Sequence, residues 1–301
     1  MALRPALAET AWERGRLDAR RGPSQLLFGR MHEDCGIELS AFRPGGRVFC
    51  IASAGCTAMA LSQRHEVVAA DINAAQVAYV RERLAGAPAR PGTAERLMAL
   101  ARAMAPLAGW RRPLLSEFLE LAEPAAQVDF WRRRLETRRL QAGMDLLLSR
   151  GLLRIVYAKS FLVGLPPRFG AIMRARMERC FARHPNRENP YARALLLGDL
   201  SDSRPPATSA RIELVHADAA EFLEGERPAT FDGFTLSNIL DGASEAYRTR
   251  LGAAVRRAAA PGAIVVRRSF REPGGHLPGN LAGEDRSMLW GSVEAAPAEA
   301  L

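Results

Sequence analysis

The chain has 301 residues, is 48% hydrophobic and carries a net charge of +9, which supplies a core for one large domain, or one domain with a sizeable insertion, and excludes a mainly disordered chain. Of its 42 basic residues only Lys159 is lysine; a GC-rich genome explains that bias, yet a basic surface still attracts anionic lipid headgroups, nucleic acid or acidic substrates. Four scattered cysteines, Cys35, Cys50, Cys56 and Cys180, form no CxxC pair, so neither a disulfide framework nor a zinc site is expected and a reducing cytoplasm is the expected compartment.

In chain order, the opening MALRPALAETAWERGRLDARRG places charges every few residues and lacks the apolar core of a secretory signal. No stretch approaches the ~20 apolar residues that span a bilayer. The run Val48-Phe49-Cys50-Ile51 within residues 47–53 predicts a strand buried on both faces. Residues 56–64 suit a helix, and 66–71 a second short strand. Asn73 is a good N-cap for a helix whose Val77, Val80 and Leu84 repeat at helical spacing opposite Arg81 and Arg83. This β-α-β-α start predicts an α/β fold with a doubly wound, Rossmann-like sheet. Residues 87–208 then show helical patterns only, between the linker-like GAPARPG and SDSRPPATS. Within them Val128, Trp131, Leu135 and Leu140 among Arg132, Arg133, Arg134, Arg138 and Arg139 predict one amphipathic basic helix. It is either an ordinary packed helix or an interfacial or RNA-facing surface. Strands return at 212–218, at 231–241 and, after a helix through Arg257 and an Ala-Pro-Gly turn, in AIVVRRSF. The expected organisation is a lead-in segment at 1–46, a first part of the sheet domain at 47–86, a helical insertion between the second and third strands at 87–208, a second part at 209–292 and a frayed tail at 293–301.

Doubly wound sheets bind ligands at the carboxyl ends of their strands. A turn of small residues there, Ser53-Ala54-Gly55-Cys56, lets backbone approach a ligand, and Gly55 contributes the missing Cβ. Asp71, beside Ile72 and Asn73, ends the next strand where a carboxylate can accept both ribose hydroxyls. Asp218, beside Ala219, suits the adenine side. Each of these acids also fits a helix cap. The single glycine fails the GxGxxG fingerprint of dinucleotide enzymes, whereas S-adenosylmethionine has no pyrophosphate and tolerates a looser turn. No His, Cys and carboxylate grouping has metal-site spacing, and no GxSxG or Walker lysine occurs.

The segments QLLFGRMHEDCGIELSAFRPGGRVFCIASAGCTAM, VVAADINAAQVAYV, FTLSNILDG and DRSMLW resemble the S-adenosylmethionine:diacylglycerol 3-amino-3-carboxypropyltransferase family of betaine-lipid synthesis. The resemblance runs from about Gln25 to Trp290 and includes NPYARALLLGD at 189–199. Departures are His32 for a tryptophan, Thr57 for an asparagine and Gly242 for an aromatic residue. The resemblance implies S-adenosylmethionine as co-substrate, transfer of its aminocarboxypropyl group to a hydroxyl acceptor such as a lipid, and release of methylthioadenosine. It also places Ser237 and Asn238 at the cofactor.

An alcohol is a weak nucleophile and needs a general base. Asp241, just beyond a strand end, is the first candidate, and the pair Glu33 and Asp34 the second. Asp241 could equally cap a helix and the pair could order a loop. Lone His32 and His216 read as hydrogen-bonded structural residues. FLVGLPPRFGAIM (161–173) reads as an apolar wall of the acceptor pocket or as a buried helix-loop-helix, and the basic helix as a contact with an anionic membrane surface. A methyltransferase on the same sheet is the second reading. An RNA-binding protein is the third, against which stand the 7% aromatic content and the lack of a base-stacking strand.

Overall fold

The computed structural model describes residues 12, 15–17, 22–162, 164–199, 211–275 and 277–301. The expected linker at 201–209 and the boundary at 208/209 lie outside the described residues. The sheet contains β1 (Arg47–Ile51), β2 (Glu66–Asp71), β3 (Ile212–His216), β4 (Phe231–Thr235), β5 (Ala259–Ser269) and β6 (Ser292–Pro297). Their order is β3-β2-β1-β4-β5-β6, parallel throughout except for β6, which runs antiparallel along β5. This arrangement is compatible with a Rossmann-like α/β fold, and its switch point lies between β1 and β4.

The strands form where continuous apolar runs can be covered on both sides. In β1, Phe49 joins the core beneath α12 (Ala219–Gly225) and α13 (Glu245–Ala258). Val48 and Cys50 join the opposite core, with Met59 and Leu61 of α2 (Cys56–Leu61) and Val80 of α3 (Ala74–Leu84). The expected cap is present: Asn73 accepts Ala75 N–H at 2.9 Å. Arg83, however, lies on the buried rather than the solvated side of α3, 1% exposed.

Between β2 and β3 the described chain is helical: α4 (Thr93–Met104), α5 (Arg112–Leu119), α6 (Pro124–Phe130), α7 (Arg138–Leu147), α8 (Arg150–Val156), α9 (Lys159–Leu162), α10 (Phe169–Phe181) and α11 (Pro190–Leu197). Phe118, Trp131, Leu135, Phe181 and Leu196 give these helices a core of their own. The single basic helix expected across residues 128–140 is two. A π turn at Trp131–Leu135 follows α6, and α7 restarts with Thr137 accepting Leu140 N–H at 3.2 Å. The π turn keeps Trp131 and Leu135 both fully buried, a placement that a widened turn allows.

Two other expectations change. The Ala260-Pro261-Gly262 turn lies inside β5, where the pairing with β4 shifts register and Gly262 takes φ +80°. The tail expected at 293–301 is ordered: β6 pairs with β5 from Ser292↔Ser269 to Pro297↔Ile264, and Val293 and Ala298 are fully buried. Its alanines and proline carry little strand propensity, so the ladder, not local preference, makes it a strand. Among the described residues no helix is long and apolar enough to cross a membrane.

Candidate functional site

A cavity of about 230 Å³ opens at the switch point, where Ser53 follows β1, Ser237, Asn238 and Asp241 follow β4, and Phe270 follows β5. The loop before α1 (Gly36–Ala41) adds Phe28, Arg30, Met31, His32 and Glu33. Most of the remaining wall is apolar and comes from the helical segment, including Met98, Leu148, Leu153, Leu162, Leu165 and Phe169. Thus the 161–173 stretch contributes wall residues at its helix ends. Ser53 and Ser237 hold φ +42° and +51°, a left-handed backbone that costs a non-glycine residue of order 1–3 kcal/mol. Both strained residues stand at the cavity.

The loop bearing Arg30 and Glu33 is held by side chains from α3 and α4. Gln76 accepts the N–H groups of Leu27 (2.8 Å) and Phe28 (3.0 Å) and donates to the carbonyls of Ser53 (2.6 Å) and Phe28 (3.1 Å). Tyr79 donates to the Gly29 carbonyl at 2.8 Å. Glu95 accepts Gly29 N–H at 2.8 Å and Arg30 N–H at 3.3 Å, and meets His32 Nε2 at 3.1 Å. Burial works to raise the Glu95 pKa, but His32 and the Gly29 and Gly92 N–H groups outweigh it and hold the carboxyl below its usual value. Gly29 is required by space, since a Cβ there would lie 2.0 Å from the Arg90 carbonyl oxygen.

Glu33 is 6% exposed. One of its oxygens accepts from Ser237 Oγ; the other, Oε2, makes no hydrogen bond. Behind it lies fully buried Arg268, whose Nη1 is 3.4 Å from Glu33, whose Nη1 and Nη2 bind Glu38 at 2.5 and 3.1 Å, and whose Nε binds Asp285 at 3.0 Å. One guanidinium therefore faces three carboxyls. Desolvation dominates and pushes the Glu33 pKa up to about 7; Arg268 and Ser237 oppose this, and Glu38 and Asp285 add to it. Burial likewise raises Asp285. Burial thus favours a shared proton in the cluster, and Glu33 is the member that borders the cavity.

The other expected acids are engaged. Asp34 takes a two-pronged ion pair from Arg286, through Nη2 at 2.9 Å and through Nε, and accepts Gly36 N–H at 3.0 Å. Burial opposes ionisation of Asp34, but Arg286 and the Gly36 N–H hold its pKa below the ordinary value. Asp241 borders the cavity and accepts Ser269 Oγ at 2.6 Å and Phe270 N–H at 2.9 Å, joining the β4 and β5 ends. Asp71, half-buried, accepts Ser53 N–H and Asn73 N–H, each at 2.9 Å. Its pKa rises to about 6 through burial, against the Asn73 and Ser53 bonds and the nearby His216. Asp218 caps α12 through Glu221 N–H at 3.0 Å and accepts Tyr247 Oη at 2.8 Å.

Ala54 and Gly55 shape the first turn. Gly55 has φ +81°, and a Cβ there would meet Val80 at 2.9 Å. Cys56 Sγ receives Met31 N–H at 3.4 Å, while the His216 ring bonds the Ile72 carbonyl at 3.1 Å. Asp71, Ile72, Asn73, Asp218 and Ala219 do not line the cavity, whereas Ser53, Ser237, Asn238, Asp241 and Glu33 do. The DRSMLW segment packs against the loop: Asp285 and Arg286 hold the residues just described, and Trp290 donates to the His32 carbonyl at 3.1 Å.

Sequence reading missed Arg30, Gln76, Glu95 and Arg268. A polar stripe at Gln76, Tyr79 and Arg83 has helical spacing, and Arg268 interrupts an apolar strand; both were visible signals. Among the described residues no group of three His, Cys, Asp or Glu side chains is placed to hold a metal ion. No protein-family model matches the chain, and no curated protein or solved structure is significantly similar to it.

Proposed function

We propose that the protein is an S-adenosylmethionine-dependent transferase that moves the 3-amino-3-carboxypropyl group to a hydroxyl acceptor, diacylglycerol being the acceptor that the family resemblance suggests. The single observation that carries this reading is Glu33: a buried carboxyl, its pKa pushed up to about 7, that borders a cavity at the switch point and shares the Arg268 guanidinium with two further carboxyls. A group with that pKa suits proton removal near neutral pH. Its excess-acid surroundings also favour a cationic ligand, and a sulfonium is one.

In this reaction Glu33 takes the proton of the acceptor hydroxyl. The oxygen attacks the γ-carbon of the methionyl chain, the C–O bond forms, and the C–S pair returns to sulfur, which leaves as neutral methylthioadenosine. Ser237 keeps Glu33 oriented. Asp71, behind the cavity wall, would hold the β1 turn through its bond from Ser53 N–H at 2.9 Å, and Ser53 would let the ligand approach that turn. The helices between β2 and β3 act as an insertion that covers the site, and their leucines hold an apolar acceptor. Exposed Leu146, Leu147 and Ile155 beside exposed Arg150 and Arg154 would rest on an anionic bilayer surface. Arg132, Arg133 and Arg134 suit that role less, being paired with Glu178, Asp129 and Glu117.

The test is incubation with S-adenosylmethionine and diacylglycerol vesicles, with both by-products measured by mass spectrometry. Methylthioadenosine should accumulate, and Glu33→Gln should slow it by about 10²–10⁴-fold. S-adenosylhomocysteine in its place would make the protein a methyltransferase, and neither product above the spontaneous background would end the reading.

A further inference from the structure

The cavity wall also holds a cation with no ion-pair partner among the described residues. Arg30 is 6% exposed and lines the cavity, and its Nη1 is buried with no hydrogen-bond partner. Its guanidinium carbon lies 5.3 Å from the Tyr191 ring centroid, and its backbone N–H is fixed by Glu95 at 3.3 Å. The group is thus stacked, and among the described residues no carboxylate pairs with it. Leaving a buried guanidinium donor unmet costs its full desolvation, a cost that an anionic ligand group removes. Three residues further along the same braced loop, Glu33 borders the cavity, and behind it one guanidinium, that of Arg268, faces three carboxyls. A wall with one unmet cationic donor beside a cluster in which carboxyls outnumber the guanidinium matches a ligand that carries both a carboxylate and a positive centre. It suits a phosphate dianion less, because the excess of carboxyls opposes a second negative charge.

We infer that Arg30 is the binding residue for the α-carboxylate of the methionyl chain and so selects ligands that retain an amino-acid end. This rests on the S-adenosylmethionine reading given above. It assigns Arg30 to binding and orientation: gripping the carboxylate fixes the chain whose γ-carbon must face the acceptor.

The test is calorimetric titration of the full chain and of Arg30→Gln with three ligands: S-adenosylmethionine, its decarboxylated analogue and methylthioadenosine. Wild-type protein should bind S-adenosylmethionine about 10–100-fold more tightly than the decarboxylated analogue, as expected for one charge-assisted bond. Arg30→Gln should erase that difference and leave methylthioadenosine affinity unchanged, which also reports that the variant is folded; Arg30→Lys should restore part of it. Equal losses for S-adenosylmethionine and methylthioadenosine would make Arg30 a structural residue. An unaltered preference for the carboxylate in Arg30→Gln would overturn the assignment while leaving the transferase reading intact. Wild-type protein that binds none of the three overturns both.

Discussion

At the scale of single residues, the chemistry depends on which carboxyl carries a proton. Glu33, Glu38 and Asp285 share one guanidinium, that of Arg268, and burial raises the cost of each further negative charge. Glu33 has a folded pKa of about 7, raised from 4.5. The folded protein therefore binds more protons than the unfolded chain between these values, and this group's contribution to stability falls as pH rises from about 4.5 to about 7. Asp71, raised from 3.8 to about 6, acts in the same direction. Asp34, held below 3.8, contributes stability that is lost only in stronger acid. Glu33→Gln isolates the first effect: its melting temperature relative to wild type should climb between pH 4.5 and 7 and level off above. A difference that stays flat over that range would show that Glu33 is ionised throughout.

At the scale of elements, α3 does more than cover the sheet. Its apolar residues Val77 and Val80 pack in the core, while Gln76, Tyr79 and Arg83 form a buried polar stripe beside them. Arg83 Nη1 reaches the Ala54 carbonyl at 2.5 Å and Cys56 Sγ at 3.2 Å, so one helix braces both the β1 turn and the Arg30–Glu33 loop. Gln76→Ala would leave the N–H groups of Leu27 and Phe28 without their acceptor. We expect a loss of about 2–4 kcal/mol in urea unfolding, from one buried and one half-buried donor at roughly 1–2 kcal/mol each. A loss below about 0.5 kcal/mol would mean that the loop is held by other contacts.

At the scale of the whole molecule, β6 closes the sheet. It covers the outer edge of β5 through six paired residues, and Arg267 bonds Glu294 across the pair at 2.7 Å. Deleting residues 292–301 should lower the urea midpoint and, by baring a parallel-sheet edge, promote self-association visible in sedimentation. A truncated chain that stays monomeric with an unchanged midpoint would reduce β6 to an accessory strand. The edge was illegible in the sequence because Ala295, Ala296 and Pro297 look like a loose end; only the presence of β5 beside them turns them into a ladder.

The amino-acid order determined the features that are local. The apolar run of β1, the Asn73 cap, the small-residue turn and the polar residues after β4 all follow from alternation, caps and backbone preference within a few positions. It also brought Glu33, Asp34 and Asp241 forward as acids worth weighing. Tertiary structure alone decided among them. Asp34 met Arg286, Asp241 met the β5 end, and Glu33 was buried at the cavity on a guanidinium already shared by Glu38 and Asp285. Desolvation and Coulomb fields depend on distance in space, and the residues that set them here come from opposite ends of the chain.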